Sequence, residues 1–187
     1  CMAYMVILTN DSASLAMFSD KIKAFIPPGS TLDQYYIILR TLVNKKNYMG
    51  GHDINNAVRF IMNISKRRGV LFIVTDFLGL KPGWKNILKL ASAKFEIIGI
   101  MVRDPRDIFL PNDVGQLVLG DPFSDRRVII DPKKVKKSYE QIAREREEDV
   151  RKFFSQINAD LMCISTTESF IKPLIQYFKK REQLLWR

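Results

Sequence analysis

The sequence predicts an α/β fold with a mainly parallel sheet, and three observations carry that prediction. Apolar runs bounded by turn residues alternate with segments of helical apolar spacing, as in strands joined by crossover helices. Two of the runs, Val70 to Val74 and Ile97 to Val102, are unbroken apart from Gly99. Such strands need cover on both faces, which is the habit of parallel sheets. Several runs also stop in hydroxyl, acidic or basic residues, where a strand leaves the core. Right-handed crossovers then place helices on both faces of the sheet.

The elements follow in order. Residues 1–9 are nearly all apolar and read as the end of a helix or a strand, between which periodicity does not choose. The chain starts with Cys1 rather than Met. It reads as beginning inside a buried element, because the apolar Met2 to Leu8 is no polar tether for a lipid-bearing cysteine. Asn10-Asp11-Ser12 marks a turn. Ser14 to Phe18 is a short buried strand ending in Ser19-Asp20. Lys21 to Ile26 is a second strand, closed by Pro27-Pro28-Gly29. Thr31 with Gln34 three residues on is a capping box. The helix it opens turns Tyr35, Ile38, Leu39, Leu42 and Val43 inward. Asn44 to Gly51 is a polar loop.

Asp53 caps the next helix, with Ile54, Ala57, Val58, Ile61 and Met62 inward. Gly69 ends that helical region and Val70 to Val74 follows as a strand, closed by Thr75-Asp76. Pro82-Gly83 leads into a helix with Trp84, Ile87, Leu88 and Ala91 on one face. Phe95 to Val102 is a buried strand, closed by Arg103-Asp104-Pro105. Residues 105–132 hold four prolines (Pro105, Pro111, Pro122 and Pro132) and two strand-like pieces, Gln116 to Leu119 and Arg127 to Ile130. They read as a β-rich insertion. Lys134 to Ile157 is a long amphipathic helix and Leu161 to Ser165 a last strand. Thr166-Thr167-Glu168 starts a final helix with Phe170, Ile171, Leu174, Ile175 and Phe178 inward. The expectation is a single domain over residues 1–187.

Composition narrows the function classes. The chain has 187 residues, 47% of them hydrophobic, and a formal net charge of +10. It can bury a core, so disorder is a poor reading. The longest apolar runs are about a third of a membrane span, and no signal peptide is visible. Two cysteines, Cys1 and Cys163, make neither a disulfide framework nor a zinc site. The expected compartment is the cytoplasm, and an anchor upstream in a longer parent protein is left open. The basic residues are dispersed. Their densest clusters are Lys66 to Arg68, Lys133 to Lys137 and Lys179 to Arg181. No aromatic residues interleave with them, which counts against a nucleic-acid site.

Ligands of open α/β sheets bind at the carboxyl ends of strands. Ser19, Asp20, Thr75, Asp76, Asp104 and Thr166 are candidates on that ground, with Asp76 foremost because the longest apolar run precedes it. Oxygen ligands suit a hard cation such as Mg²⁺. His52 is the sole histidine. It lies in the Gly50-Gly51-His52-Asp53 loop and could serve as base or ligand, although a structural loop histidine is the simpler reading. Asp53 reads first as a helix cap. No GxxxxGK[ST], GxGxxG or GxSxG motif is present. Cys163 sits inside a strand and reads as an inert core thiol. A metal-dependent α/β enzyme would use Asp76, with Asp20 or Asp104 as a second carboxylate.

The ordered series FSDKI-x-x-FIPP from Phe18, GG-x-DI-x-x-A from Gly50, KRR at 66–68, IVTDFL from Ile73, GI-x-VRDPRD from Gly99 and STTESFIKPL from Ser165 resembles a known family. It is similar to the von Willebrand factor A-type domains of the prokaryotic domain-of-unknown-function 58 family, over nearly the whole chain. The resemblance implies a three-layer, Rossmann-like sheet. It implies a protein-interaction or chaperone-like module, not an enzyme, working with a MoxR-type AAA+ ATPase or its client proteins. The interaction face would be the top of the sheet, with Ser19, Asp20, Asp53, Thr75 and Asp76 as partner-binding residues.

Such domains hold Mg²⁺ at an adhesion site made by Asp-x-Ser-x-Ser, a Thr and a later Asp. Asp76 matches the last position, while His52 stands where the Thr should be. The Asp-x-Ser-x-Ser segment and the first, central strand are expected to precede residue 1. The implied outcomes are a degenerate metal site of Asp76 and His52, no tight Mg²⁺ binding by this chain, and an unstable or self-associating fragment.

Overall fold

The computed structural model describes residues 1–111, 114–120 and 127–185. Pro122 and the side chains of Lys180 and Arg181, named above, lie outside the described residues. The elements are α1 (Met2–Leu8), β1 (Ala13–Phe18), β2 (Ile22–Gly29), α2 (Leu32–Val43), α3 (Ile54–Ile64), β3 (Gly69–Thr75), α4 (Trp84–Ser92), β4 (Phe95–Arg103), β5 (Leu117–Gly120), β6 (Arg127–Ile130), α5 (Pro132–Gln156), β7 (Asp160–Ser165) and α6 (Ile171–Leu185). The mixed α/β class is as the alternation predicts. No described helix is long and apolar enough to cross a membrane.

The sheet is less parallel than expected. Strands β3, β4 and β7 form one parallel sheet in that order, while β1-β2 and β5-β6 are separate antiparallel pairs. Short connections explain the pairs: a strand that turns back within a few residues can only pair antiparallel. The chain divides into two compact units, Cys1–Arg67 with Gly79–Ala91, and Arg68–Leu78 with Ser92–Arg187.

In the first unit, the apolar run at the start of the chain is a helix, α1 (Met2–Leu8). Ile7 of α1 joins Ala13, Ile26 and Ile38 in a small core, with Ala3, Val6, Leu15 and Tyr35 packed on it. β1 is only partly buried, at Ala13 and Met17. Pro27 and Pro28 do not close β2 but lie within it. β2 pairs with β1 alone, and an edge strand tolerates residues that cannot donate to a ladder. Only half of the expected capping box forms. Thr31 accepts the Gln34 backbone N–H at 3.3 Å. The Gln34 side chain turns inward instead and donates to the carbonyls of Ala13 at 2.9 Å and Pro27 at 2.6 Å. With its amide held by these two carbonyls, the Gln34 side chain is turned away from the cap. A Cβ on Gly29 would stand 2.8 Å from the Gln34 side chain, so the glycine makes room for this bridge.

α2 departs from the expected burial. Ile38 is buried and Tyr35 half-buried, but Leu39, Leu42 and Val43 are exposed. α3 buries Ile54, Ala57 and Val58, and α4 buries Ile87, Leu88 and Ala91, as their spacing predicts.

In the second unit, β4 is buried at every position but Glu96 and Val102, which are exposed and half-buried. Each fully buried Ile or Met contributes about 2 kcal/mol. Gly99 lets α5 and β7 close on it: a Cβ there would lie 2.6 Å from the Phe154 ring and 2.7 Å from Leu161. Phe77 meets Phe154 edge-on at 5.5 Å. Arg103 was expected to follow the strand. It is instead the last residue of β4 and is buried.

β3 corrects a second expectation. Only Ile73 is buried, and Val70 and Val74 are exposed. A continuous apolar run shows that a strand can be covered on both faces, not that it is. α5 starts on an Asp131 cap with Pro132 in its first turn. Its solvent face carries the i,i+4 pairs Lys136–Glu140, Glu147–Arg151 and Glu148–Lys152. α6 begins at Ile171, later than expected, and leaves Phe170, Ile171, Ile175 and Phe178 exposed, with Leu174 half-buried.

Candidate functional site

The polar residues singled out at strand ends fall into both units. In the first unit they form a knot of three loops. The turn after β1 brings Ser19 and Asp20, the loop before α3 brings Gly50 to Asp53, and the segment before α4 brings Lys81 to Gly83. The Asp53 backbone N–H donates to the Ser19 carbonyl at 2.8 Å, joining the first two loops. Ser19 is buried, and its hydroxyl donates to Asp20 Oδ1 at 2.7 Å. Asn56 Nδ2 donates to the Asp20 carbonyl at 2.9 Å.

Asp53 does cap α3, accepting the Asn55 backbone N–H at 3.0 Å. Its second oxygen takes Lys81 Nζ at 3.0 Å, which ties in the third loop. Asn55 Nδ2 reaches the Pro82 carbonyl of that same loop at 3.2 Å. Gly50 adopts φ 117°, and a Cβ on it would sit 2.9 Å from Ser19 Oγ. The position takes glycine for both reasons. The His52 ring lies against Phe18, centroids 5.6 Å apart.

The charges in the knot are settled. Burial pushes the Asp53 carboxyl up, but the hydrogen bond and charge of Lys81 and the backbone N–H groups of Asn55 and Asn56 outweigh it. The net shift is downward. The Ser19 hydroxyl, with Lys23 and Lys21 nearby, also lowers Asp20. Both groups are carboxylates at neutral pH. Lys81 and Asn56 are not among the residues that the sequence singles out. The glycine pair and the KPG before α4 were visible, but nothing in the spacing joins them to Asp53.

In the second unit the candidates sit where β3, β4 and β7 end. Asp76 is exposed. Its Oδ1 accepts the Leu78 backbone N–H at 2.9 Å and the Thr75 hydroxyl at 3.5 Å. Phe77, buried and at φ 54°, anchors this turn in a conformation that side chains other than glycine seldom adopt. Asp104 caps the turn at Pro105–Asp107, and Asp107 Oδ2 accepts the Asp104 backbone N–H at 3.1 Å. Thr166 completes that corner: its hydroxyl donates to Asp104 Oδ2 at 3.2 Å and its N–H to the Arg103 carbonyl at 2.9 Å. Cys163 is half-buried, with Arg151 Nη2 2.9 Å from its sulfur. Burial raises the thiol's pKa against the pull of Arg151.

Five predicted partner-binding residues thus divide between the units: Ser19, Asp20 and Asp53 in one, Thr75 and Asp76 in the other. His52 and Asp76 divide the same way. Among the described residues no three His, Cys, Asp or Glu side chains come together as a metal-ligand group.

The chain is similar in sequence to mycobacterial proteins that are themselves uncharacterized. An uncharacterized protein of Mycobacterium tuberculosis is 28% identical over 162 residues, 84% of this chain and 50% of that protein. A protein of Mycobacterium avium, also uncharacterized, is 27% identical over 162 residues and 94% of its own length. The chain spans about half the length of the first of these, and of its counterpart in Mycobacterium bovis. Among solved structures, the conserved hypothetical protein BatB of Bacteroides thetaiotaomicron shares the fold. Its TM-score is 0.57 at 14% identity, over 97% of this chain and 85% of that one. The family described as "Protein of unknown function DUF58" matches residues 1–149. With four-fifths of its length matched by that one description, this chain belongs to the DUF58 family.

Proposed function

We propose that the chain is a protein-interaction module whose contact surface is the outer face of α2. One observation carries the reading. Leu32, Tyr36, Leu39 and Val43 recur at helical spacing of four, three and four residues, and all are exposed, Tyr36 at 60% and Val43 at 68%. Ile37 and Leu42 extend the patch. A helix stripe of this kind normally packs on something, and a contiguous apolar patch left in water marks a binding surface. The settled knot supports the same reading. Its carboxylates are engaged in holding loops together, which is what a rigid recognition module needs.

The finer parts of the proposal come from the resemblance. They are a von Willebrand A-type sheet and a MoxR-type AAA+ ATPase, or a protein it remodels, as partner. In support of the first, β3 is hydrogen-bonded to β4 and to no other strand among the described residues, which suits a larger sheet with a further strand there. The Mg²⁺ of an adhesion site fits this chain's donors poorly. Asp76 Oδ1 is already engaged by Leu78 and Thr75, and an imidazole at His52 is a soft replacement for a hydroxyl.

The test is binding of the immobilised chain to a purified MoxR-type ATPase with ATP present. The wild-type chain should bind, and the double variant Tyr36→Asp, Val43→Asp should bind about tenfold more weakly. No binding by the wild type would remove the ATPase as partner. Equal binding by both would remove the α2 face.

A further inference from the structure

We infer that the second unit carries a recognition site for a carboxylate on an apolar stem, built around Arg103. The site rests on different residues from the α2 surface and stands or falls separately. Arg103 ends β4, at the carboxyl edge of the parallel sheet, and is only 7% exposed. Its side chain ends in a planar, charged guanidinium. A buried charge is costly unless paired and hydrogen-bonded. Yet its Nε is buried and makes no hydrogen bond among the described residues.

Arg103 lines a cavity of about 280 Å³. Arg146 and Tyr139 of α5 line it too, with Asp107 from the turn after β4 and the apolar side chains of Ile108 and Ile142. The charges do not cancel. Two guanidinium groups face one carboxylate, and Asp107 already accepts the Asp104 backbone N–H. The Tyr139 hydroxyl is likewise engaged, donating to the Arg106 carbonyl at 3.0 Å. A lining with two guanidinium groups and one carboxylate favours an anion.

Size and lining select which anion. The volume lies just below the usual range for a ligand pocket, so it takes one small acid or one terminal residue of a chain. The planar fork of arginine matches a carboxylate in two parallel hydrogen bonds. Ile108 and Ile142 favour an aliphatic stem over a fully hydrated phosphate. A free branched-chain acid and the carboxyl end of a partner polypeptide offer the same group.

The experiment follows backbone amide resonances of the full 187-residue chain during titration. The probes are isovalerate, its neutral amide isovaleramide, inorganic phosphate, and a tetrapeptide ending in leucine with a free or amidated terminus. Isovalerate should shift the Arg103, Ile108 and Ile142 amides with a dissociation constant of about 1 mM. Isovaleramide should not shift them. Arg146→Gln, an exposed change that leaves the core intact, should weaken binding about tenfold. A free-ended peptide tighter than isovalerate, with its amidated form silent, makes the ligand a chain end. A peptide no tighter makes it a small acid. Equal shifts by acid and amide, shifts by phosphate alone, an Arg146→Gln chain that binds as wild type, or no shifts would each overturn the inference.

Discussion

Asp53 and Arg103 are both charged and both more than nine-tenths buried, one in each unit. They show opposite solutions to the same cost. Asp53 has a lysine, a helix N-terminus and an asparagine around it. Arg103 has a cavity beside it and an Nε without a hydrogen bond among the described residues. A buried charge that is fully partnered holds loops in place. A buried charge that is not is available for something brought from outside. The first unit therefore uses its buried carboxylate to hold its own loops together. The second packs its apolar strand tightly and keeps a cation in reserve.

The contrast in packing gives the largest expected effect. Gly99→Ala drives a methyl group to 2.6 Å from the ring of the buried Phe154 and 2.7 Å from the half-buried Leu161. Overpacking at so tight a site should cost about 3 kcal/mol. Gly50→Ala meets the Ser19 hydroxyl at 2.9 Å and the Asp20 carboxylate at 3.1 Å. A surface loop can shift, so the cost there is mainly the positive φ, about 1.5 kcal/mol. Urea midpoints of the two variants test the ranking. A Gly50 variant as damaged as the Gly99 variant would make the knot as rigid as the core.

Much of this was legible in the sequence, for local reasons. Asp53 stands directly before a run of helical spacing, so its capping role needs no knowledge of the tertiary fold. The buried face of α3 and the length of α5 follow from periodicity alone. The remainder depends on partners distant in the chain. Lys81 is 28 residues from Asp53. Val70 and Val74 are exposed because of what flanks β3, and the composition of a strand does not say what lies beside it. Arg103 was read as a strand closer because arginine at the end of an apolar run is ordinarily solvated. Gln34 was read as a cap because three-residue spacing does not reveal carbonyls arriving from β1 and β2.

Asp53 gives a middle-sized effect and a sign. Its carboxyl titrates below its ordinary 3.8 in the folded chain, because Lys81 and the helix N–H groups outweigh burial. A depressed folded pKa contributes stability above the unfolded value and loses it as pH falls through the folded one. Asp53→Ala should cost about 2 kcal/mol at pH 7 through the lost cap and ion pair. Lys81→Ala should cost about 1 kcal/mol, since half-exposed ammonium groups contribute little. On acidification below 3.8 the wild-type advantage over Asp53→Ala should shrink. Urea midpoints from neutral pH down into that range read this directly. A gap that widens in acid would mean the carboxylate is not the stabilising form.

The smallest expected effect concerns cations. If both units dispose of their carboxylates as described, neither has a reason to take up Mg²⁺. Asp20 and Asp53 are engaged by Ser19 and Lys81, and Asp76 by Leu78 and Thr75. Calorimetric titration with Mg²⁺ should give no saturable heat, and about 10 mM of the ion should move the melting temperature by less than about 1 °C. Isovalerate at the same concentration should raise it, because only the folded state offers the Arg103 cavity. A micromolar Mg²⁺ site abolished by Asp76→Ala would invert this, and would mean that the turn after β3 is organised to hold a metal rather than to cap itself. The two titrations on one sample therefore ask which charge the molecule takes up, and the Nε of Arg103, which has no hydrogen bond among the described residues, favours a negative one.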